Sequence, residues 1–296
     1  MENAAASQNA QPSCEVAIDC GSGGTRIWHH SGSSIRRLPW PGGTATAKAK
    51  APVLSAVLPV PAGREAFAAA VRQLGFPTAF IGATAGLRHA LETGAVKEDD
   101  ISALAQLLPS GCTLKLLTPL EEAHFELRAV RKHMPGSTCA MMSMGGKSMQ
   151  LGHESNLFSL PFAAHLGYEM LRSGSSLAEV ARVYEARCVA AKASQGLGVL
   201  EGEVVGVTDV MIVADALGLG GRTHGQPELL QSLRKCVRKQ TAAERAEGGL
   251  GKSKCELLCR VLVLEAVVQD FLAPSCTVSF RNDFQVSWTE GFFASR

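Results

Sequence analysis

The sequence predicts an α/β fold, and three observations carry that reading. Short apolar runs of strand character alternate along the chain with stretches of helical periodicity, the pattern of strands and helices packed in layers. Alanine and glycine are abundant while aromatic residues make up 5% of the chain, which suits a compact α/β enzyme better than a platform for stacking bases. A chain of 296 residues also buries a sizeable core, as one large domain or as two lobes.

The elements follow in order. Residues 1–13 are small and polar and read as a disordered tail. In CEVAIDCGSGGTRIWHH, Val16 and Ile18 alternate toward Asp19, and Ile27 and Trp28 lie beyond a glycine-rich turn, so a β-hairpin is expected. LPWPGGTATAKAKAP is a loop by its proline and glycine content. GREAFAAAVRQLG places Phe67, Ala70, Val71 and Leu74 on one helical face. TAFIGATAGLRHAL reads as a short strand leading into a helix, DDISALAQLLPSG as a helix with an acidic start, CTLKLLTP as a strand and LEEAHFELRAVRKHM as a helix. CAMMSMGGKSMQLG is a second hairpin, strand to Gly-Gly turn to strand. LAEVARVYEARCVAAKAS is helical, and EGEVVGVTDVMIVADALGLGG mixes strand and helix signals. RKCVRKQTAAERAEGGLGKSK is basic and then loop-like, with Arg234 to Lys239 expected as a solvated helix face. CELLCRVLVLEAVVQDFL is a strongly apolar helix, and CTVSFRNDFQVSWTEGFFAS closes the chain with one or two strands and a short helix.

Charge and cysteine content bound the partners. A net charge of +2 gives no global reason to expect nucleic acid or an anionic membrane. The first residues carry no basic region followed by an apolar one, and no run approaches the roughly 20 apolar residues of a membrane span. The nine cysteines are scattered, odd in number and free of C-x-x-C pairs, so a reduced, cytoplasmic protein is expected, the alternative being a secretory form that has lost its leader.

The two hairpins carry the chemistry. AIDCGSGGTRIW and AMMSMGGKSMQL share one design: an apolar strand, a polar residue, glycines, a Thr or Ser, and a return strand. Two such hairpins, one in each half, are expected to face each other across a cleft. Glycines let the backbone approach a phosphate and turn successive N–H groups toward it. Gly21, Gly23 and Gly24 can do this in the first hairpin and Gly145 and Gly146 in the second, with Ser22, Thr25 and Ser148 adding hydroxyls. A single glycine-rich hairpin is also what any tight turn needs; the pair is more specific. Neither is a P-loop, because GGKS and LGKSK lack the glycine five residues earlier.

Five segments, in order, resemble the signatures of the apyrase and nucleoside diphosphatase family. DCGSGGTR (Asp19 to Arg26) resembles the first and ATAGLR (Ala83 to Arg88) the second. LEEAHFELRAV resembles the third, SMGGKSMQLG the fourth and VSWTEGFF the last, while residues 185–275 match poorly. The resemblance implies an actin-like (ribonuclease H-like), two-lobed fold with a nucleotide cleft between the lobes: residues 14–120 plus 284–296 as the first lobe and 121–283 as the second. It implies hydrolysis of nucleoside tri- or diphosphates by water attack on the terminal phosphate, with Mg²⁺ or Ca²⁺ between the phosphates. By position, Glu122 is the base, Ser148 and Gln150 hold the attacking water with Thr84 beside them, and Asp19 orders the metal's water shell. Gly21, Ser22, Gly23, Gly24, Thr25 and Arg26, with Gly145, Gly146 and Lys147, line the phosphates.

The departures divide the reading. Ser143 stands where the family pattern has an acid that helps hold the metal's waters, and Lys147 replaces a small residue in the same turn. A hydroxyl brings no negative charge to a hard cation, so Ser143 is a weak metal residue. Two alternatives therefore stand beside an apyrase-like phosphatase: a catalytically weakened nucleotide-binding relative, and an exopolyphosphatase-type phosphatase of the same superfamily. Glu121 and Glu122 also suit a helix start simply as acids. Arg88 is either a phosphate contact or a structural ion pair. His29 and His30 read as surface residues, His124 as packed on its helix and Trp288 as structural.

Overall fold

The computed structural model describes residues 15–31, 34–41, 51–247, 251–281 and 287–295. The expected tail, most of the loop after residue 41 and residues 282–286 lie outside them. The chain divides into two compact units, Met1–Ala83 with Ala90–Leu116 and Arg296, and Thr84–His89 with Leu117–Ser295.

The first unit is built on β1 (Val16–Gly21), β2 (Gly24–Ser31), β3 (Ser34–Leu38), β4 (Ala79–Ala83) and β5 (Cys112–Leu116), in the sheet order β3-β2-β1-β4-β5. β1 pairs antiparallel with β2 and parallel with β4, so it is central, and Val16 to Cys20 are all buried. That explains why the strand is almost wholly apolar instead of alternating. In the sequence between β3 and β5 come α1 (Leu54–Val57), α2 (Pro61–Gln73), α3 (Ala85–Glu92) and α4 (Glu98–Leu107), of which α3 up to His89 belongs to the second unit. α2 starts on a proline, whose missing N–H is no loss in a first turn, and buries Phe67, Ala68, Ala70 and Val71. Arg64 on its other side reaches Asp100 of α4 at 3.0 Å.

The second unit holds α5 (Pro119–His133), β6 (Ala140–Met144), β7 (Met149–Gly152), β8 (Phe158–Leu160), α6 (Ala164–Arg172), α7 (Leu177–Gln195), β9 (Glu203–Thr208), α8 (Asp209–Leu217), β10 (Thr223–Gly225), α9 (Gln226–Glu247), α10 (Lys252–Phe271), β11 (Thr277–Phe280) and α11 (Trp288–Ala294). Its sheet runs β10-β11-β9-β6-β7-β8. Within it, β8-β7-β6 form an antiparallel meander and β6, β9 and β11 run parallel. This repeats the plan of the first sheet, with β6-β7 in the place of β1-β2. The likeness seen between the two hairpin sequences is therefore a likeness of position in two sheets of one design.

α10 is the centre of the larger core. Leu258, Val261, Leu262, Val263, Leu264, Val267, Val268 and Phe271 are all buried, and each such side chain contributes about 1.5–3 kcal/mol on leaving water. The ambiguous stretch after residue 200 resolves into β9 followed directly by α8. Of the stretch read as basic and then loop-like, the part up to Glu247 is helical, in α9, whose later TAAERAE sequence consists mainly of good helix formers, and Lys252 to Lys254 begin α10; residues 248–250 lie outside the described residues. Arg234 of α9 is not merely solvated, since it bonds Glu265 at 2.9 Å and Gln269 at 2.6 Å on α10.

The sequence reading placed residues 284–296 with the first lobe. Their described part, α11, packs on α5 within the second unit. Gly291 sets the closeness of that contact, because a Cβ there would lie 1.6 Å from the Phe125 carbonyl oxygen. Trp288 is buried beside Phe125 and Phe292, as a structural residue should be.

Candidate active site

In the first unit, Asp19 sits on the central strand, 7% exposed, with no side chain beside it on β4, where its partner is Gly82. Across the hairpin it faces Arg26, and the two form an ion pair at 3.1 Å. The turn between them requires glycine at one point. Gly24 has φ +133°, and a Cβ there would press on the Ala51 carbonyl oxygen at 3.2 Å. Gly21 and Ser22 are half-buried in the turn and Gly23 is exposed. Thr25, expected as a phosphate contact, is buried, and its hydroxyl donates to the Pro52 carbonyl at 2.6 Å. Its one proton anchors the incoming chain, so Thr25 has none left for a phosphate while that bond holds. Next to it, burial pushes the Cys20 thiol pKa far up, with the Asp19 charge adding to the effect.

In the second unit, two bonded groups gather the remaining residues. The first joins α3 to α5. Thr84 follows β4, and its carbonyl accepts from the N–H groups of Leu87 and Arg88 at 3.0 and 3.2 Å, which starts α3. Arg88 then reaches back with both arms of its guanidinium, donating to the Leu117 carbonyl at 2.6 Å and to Glu122 Oε2 at 3.0 Å. Of the two meanings the sequence allowed for Arg88, the structure displays the ion pair.

The adjacent acids separate cleanly. Thr118 caps α5: its hydroxyl accepts from the Glu121 N–H at 3.2 Å, while Glu121 Oε2 accepts from the Thr118 N–H at 2.9 Å. Glu121 is thus half of a capping box. Glu122 points the other way and is buried, 9% exposed. One turn further, Glu126 is buried as well. Sequence reasoning passed over Glu126, although its i+4 spacing from Glu122 in LEEAHFE was legible.

The second group is the hairpin of β6 and β7. Its turn closes through the Gly145 N–H and the Ser148 carbonyl at 2.9 Å, and the Gly146 carbonyl accepts from the His165 N–H at the start of α6, also at 2.9 Å. Gln150 donates to the Ser148 hydroxyl at 2.9 Å, and both are buried. Ser143 lies opposite Gln150 in the register and 1% exposed, with its Oγ 2.9 Å from Thr208 Oγ1 at the end of β9. Lys147, in the turn, is near enough for its charge to act on His165. Burial, then the Lys147 charge, holds the His165 pKa below its usual value, and Glu169 at 3.0 Å opposes them. His165 and Thr208 were both missed in the sequence, where nothing in their neighbourhoods marks them.

No three His, Cys, Asp or Glu side chains come together as a metal cage among the described residues. Within the first unit, a single carboxylate such as Asp19 suits only a cation that keeps its own waters.

No protein-family model matches the chain, and no curated protein matches it. Solved structures do. The Aquifex aeolicus member of the Ppx/GppA protein family aligns with 95% of this chain and 96% of its own, at 13% identity and a TM-score of 0.59. An exopolyphosphatase from Cytophaga hutchinsonii aligns with 93% and 95% respectively, at 12% identity and a TM-score of 0.55. An exopolyphosphatase-like protein aligns with 95% and 96%, at 13% identity and a TM-score of 0.58. The fold is actin-like. At this identity the likeness is one of architecture, two α/β units with mixed sheets, and the chemistry rests on the residues themselves.

Proposed function

We propose that this chain is a phosphohydrolase that removes the terminal phosphate from a phosphoanhydride chain by water attack. The observation that carries the reading is the pair Arg88–Glu122. It is a buried carboxylate at the start of a helix, held by one arm of an arginine whose other arm is fixed on the Leu117 carbonyl, in the same unit as a glycine hairpin whose Ser148 and Gln150 are bonded to each other. Phosphoryl transfer needs little covalent help, mainly positioning and charge neutralisation.

In this reading Glu122 takes a proton from water, and the resulting oxygen attacks the terminal phosphorus. The bond from that phosphorus to its bridging oxygen breaks, and the shortened chain leaves with the electron pair. Ser148, Gln150 and Thr84 orient the water, and Gly145, Gly146 and Lys147 hold the non-bridging oxygens. The first unit's turn, Gly21 to Gly24 with Arg26, supplies phosphate contacts of its own, Thr25 acting as its anchor. A divalent cation, Mg²⁺ foremost, would neutralise charge on the phosphate oxygens when bound.

Inorganic polyphosphate is the favoured substrate, because the structures that share this fold over nearly the whole chain include proteins named exopolyphosphatases. Nucleoside tri- or diphosphates are the second reading, favoured by ATAGLR and by Gln150 in SMGGKSMQ. Phosphate release from purified protein would be measured on polyphosphate and on a nucleotide panel, with Mg²⁺, Ca²⁺ and chelator. Faster release from polyphosphate is expected; release from nucleotides alone restores the apyrase-like reading, and no release from any of them leaves a binding protein.

A further inference from the structure

The near-neutral balance of the whole chain hides a local imbalance. Residues 20–64 contain six lysines and arginines and no aspartate or glutamate, so the remainder of this +2 chain carries −4. An acid-free run of 45 residues, starting just after Asp19, gives one part of the first unit a field of a single sign. Four of the six cations fall on described residues. Arg64 is engaged by Asp100 on α4. The other three, Arg26, Arg36 and Arg37, stand exposed on β2 and β3.

Strand register sorts these three. Arg26 lies opposite Asp19, and Trp28 opposite Arg37, so Arg26, Trp28 and Arg37 share the sheet face that carries Asp19. Arg36 is on the other face, where its Nε donates to His29 Nδ1 at 3.4 Å. Arg26 folds back over the glycine turn. Its Nη1 lies 3.1 Å from Asp19 Oδ2 and 3.7 Å from where a Cβ on Gly21 would stand. A guanidinium has five N–H donors and this side chain is 45% exposed, so donors remain for an anion beside Asp19. Arg37 is the diagonal neighbour of Arg26, about 7–8 Å away at the backbone. It stands level with Trp28, four residues along β2 from Gly24, or about 13 Å, farther than two or three phosphates held at the turn extend. Among the described residues no carboxylate pairs with it.

β3 is a sheet edge, and charges there discourage pairing with another chain, but either sign serves that end. One sign kept from the turn out to the edge suits a ligand whose own charge repeats along its length, and arginine forks suit phosphate oxygens. We propose that Arg26 and Arg37 form a strip, leading from the first glycine turn to the sheet edge, that binds successive phosphates of a linear polyphosphate away from its reacting end. The strip rests on the phosphohydrolase reading above, which seats phosphates at that turn, and it adds a far subsite that a nucleoside di- or triphosphate leaves empty.

The test is binding of long-chain polyphosphate and of tripolyphosphate to the full chain in chelator, by titration calorimetry, with thermal melting of each variant alongside. Arg37→Gln is expected to weaken long-chain binding about 10-fold, the worth of one hydrogen bond between charged groups, and to leave tripolyphosphate binding unchanged. Arg36→Gln removes the same charge from the opposite face and should change neither. Both side chains are exposed on an edge strand, so both variants should melt as the wild type does. Equal losses from the two variants, the mark of a diffuse charge effect, would overturn the proposal. So would an Arg37→Gln loss that is as large for tripolyphosphate, or single-stranded RNA that displaces long-chain polyphosphate at an equal concentration of phosphate groups. Phosphate release with Mg²⁺ separates the two readings. A wild-type chain that binds in the expected pattern yet releases no phosphate removes the phosphohydrolase and keeps the strip. One that releases phosphate while Arg37→Gln binds as the wild type does removes the strip and keeps the phosphohydrolase.

Discussion

Glu121 and Glu122 are neighbours in sequence whose side chains take different partners, the helix cap and Arg88, and each can be tested alone. Glu121 holds the cap of α5, so Glu121→Ala should cost about 0.5–2 kcal/mol of stability, read by denaturant unfolding, with phosphate release largely kept. Glu122→Gln should act on the chemistry: release falls about 10²–10⁴-fold, the worth of a general base, in a protein that still folds but melts lower, since the buried Arg88 loses its counter-charge. An inactive Glu121 variant beside an active Glu122 variant would move the base by one residue. The acid pair was legible in the sequence because LEE precedes a helix. Which acid turns inward was not legible, because that is decided by Thr118 on one side and Arg88, 34 residues away, on the other. Thr25 shows the same limit. Its type suited a phosphate loop, but the Pro52 carbonyl takes its proton.

At the level of elements, most strands and helices could be read from periodicity and stop signals. The loop expected after the basic stretch was misread where packing overrides local pattern, since α9 continues there and α10 supports it through Arg234; the short end helix, α11, was expected, and it docks on α5. Gly291 is the contact point there, and Gly291→Ala should destabilise the second unit by about 1–3 kcal/mol or more, as overpacking does, measured by urea unfolding. The hairpin of β6 and β7 makes a prediction through its neighbour α6. The pKa of His165 is lowered in the folded chain, so the unfolded chain binds the proton more readily. The stabilising contribution is present above the ordinary value near 6.5 and is lost as pH falls through the lower folded value. The melting temperature should therefore decline on the acid side of neutrality, and His165→Gln should flatten that decline; parallel curves for the two proteins would rule it out. Restoring the resembled pattern with Ser143→Asp and Lys147→Ala should raise cation-stimulated release and weaken substrate binding without cation.

The whole molecule is two sheets of one plan, and that duplication was visible beforehand as two hairpins of one design. What the linear order could not convey is which side chains the parallel crossovers bring together, such as Thr208 with Ser143 across 65 positions. Both units hide thiols. Burial raises the pKa of Cys188 and Cys259 to about 12 and of Cys276 to about 11, and pushes that of Cys20 higher still. Under native conditions an alkylating reagent read by mass spectrometry should spare these four and take the partly exposed Cys255 sooner; in denaturant all should react. Met141, Met142, Met144 and Met149, the residues that carry the second glycine turn, are all sealed from solvent. Thioethers give the sheet a soft, adaptable lining, but each sulfur is also a target for peroxide, and its sulfoxide is too polar to return to that interior. Oxidative damage would then begin not at the loop but beneath it, after a moment of opening, and the sulfoxides left on β6 would be a chemical memory of how often this hairpin comes apart.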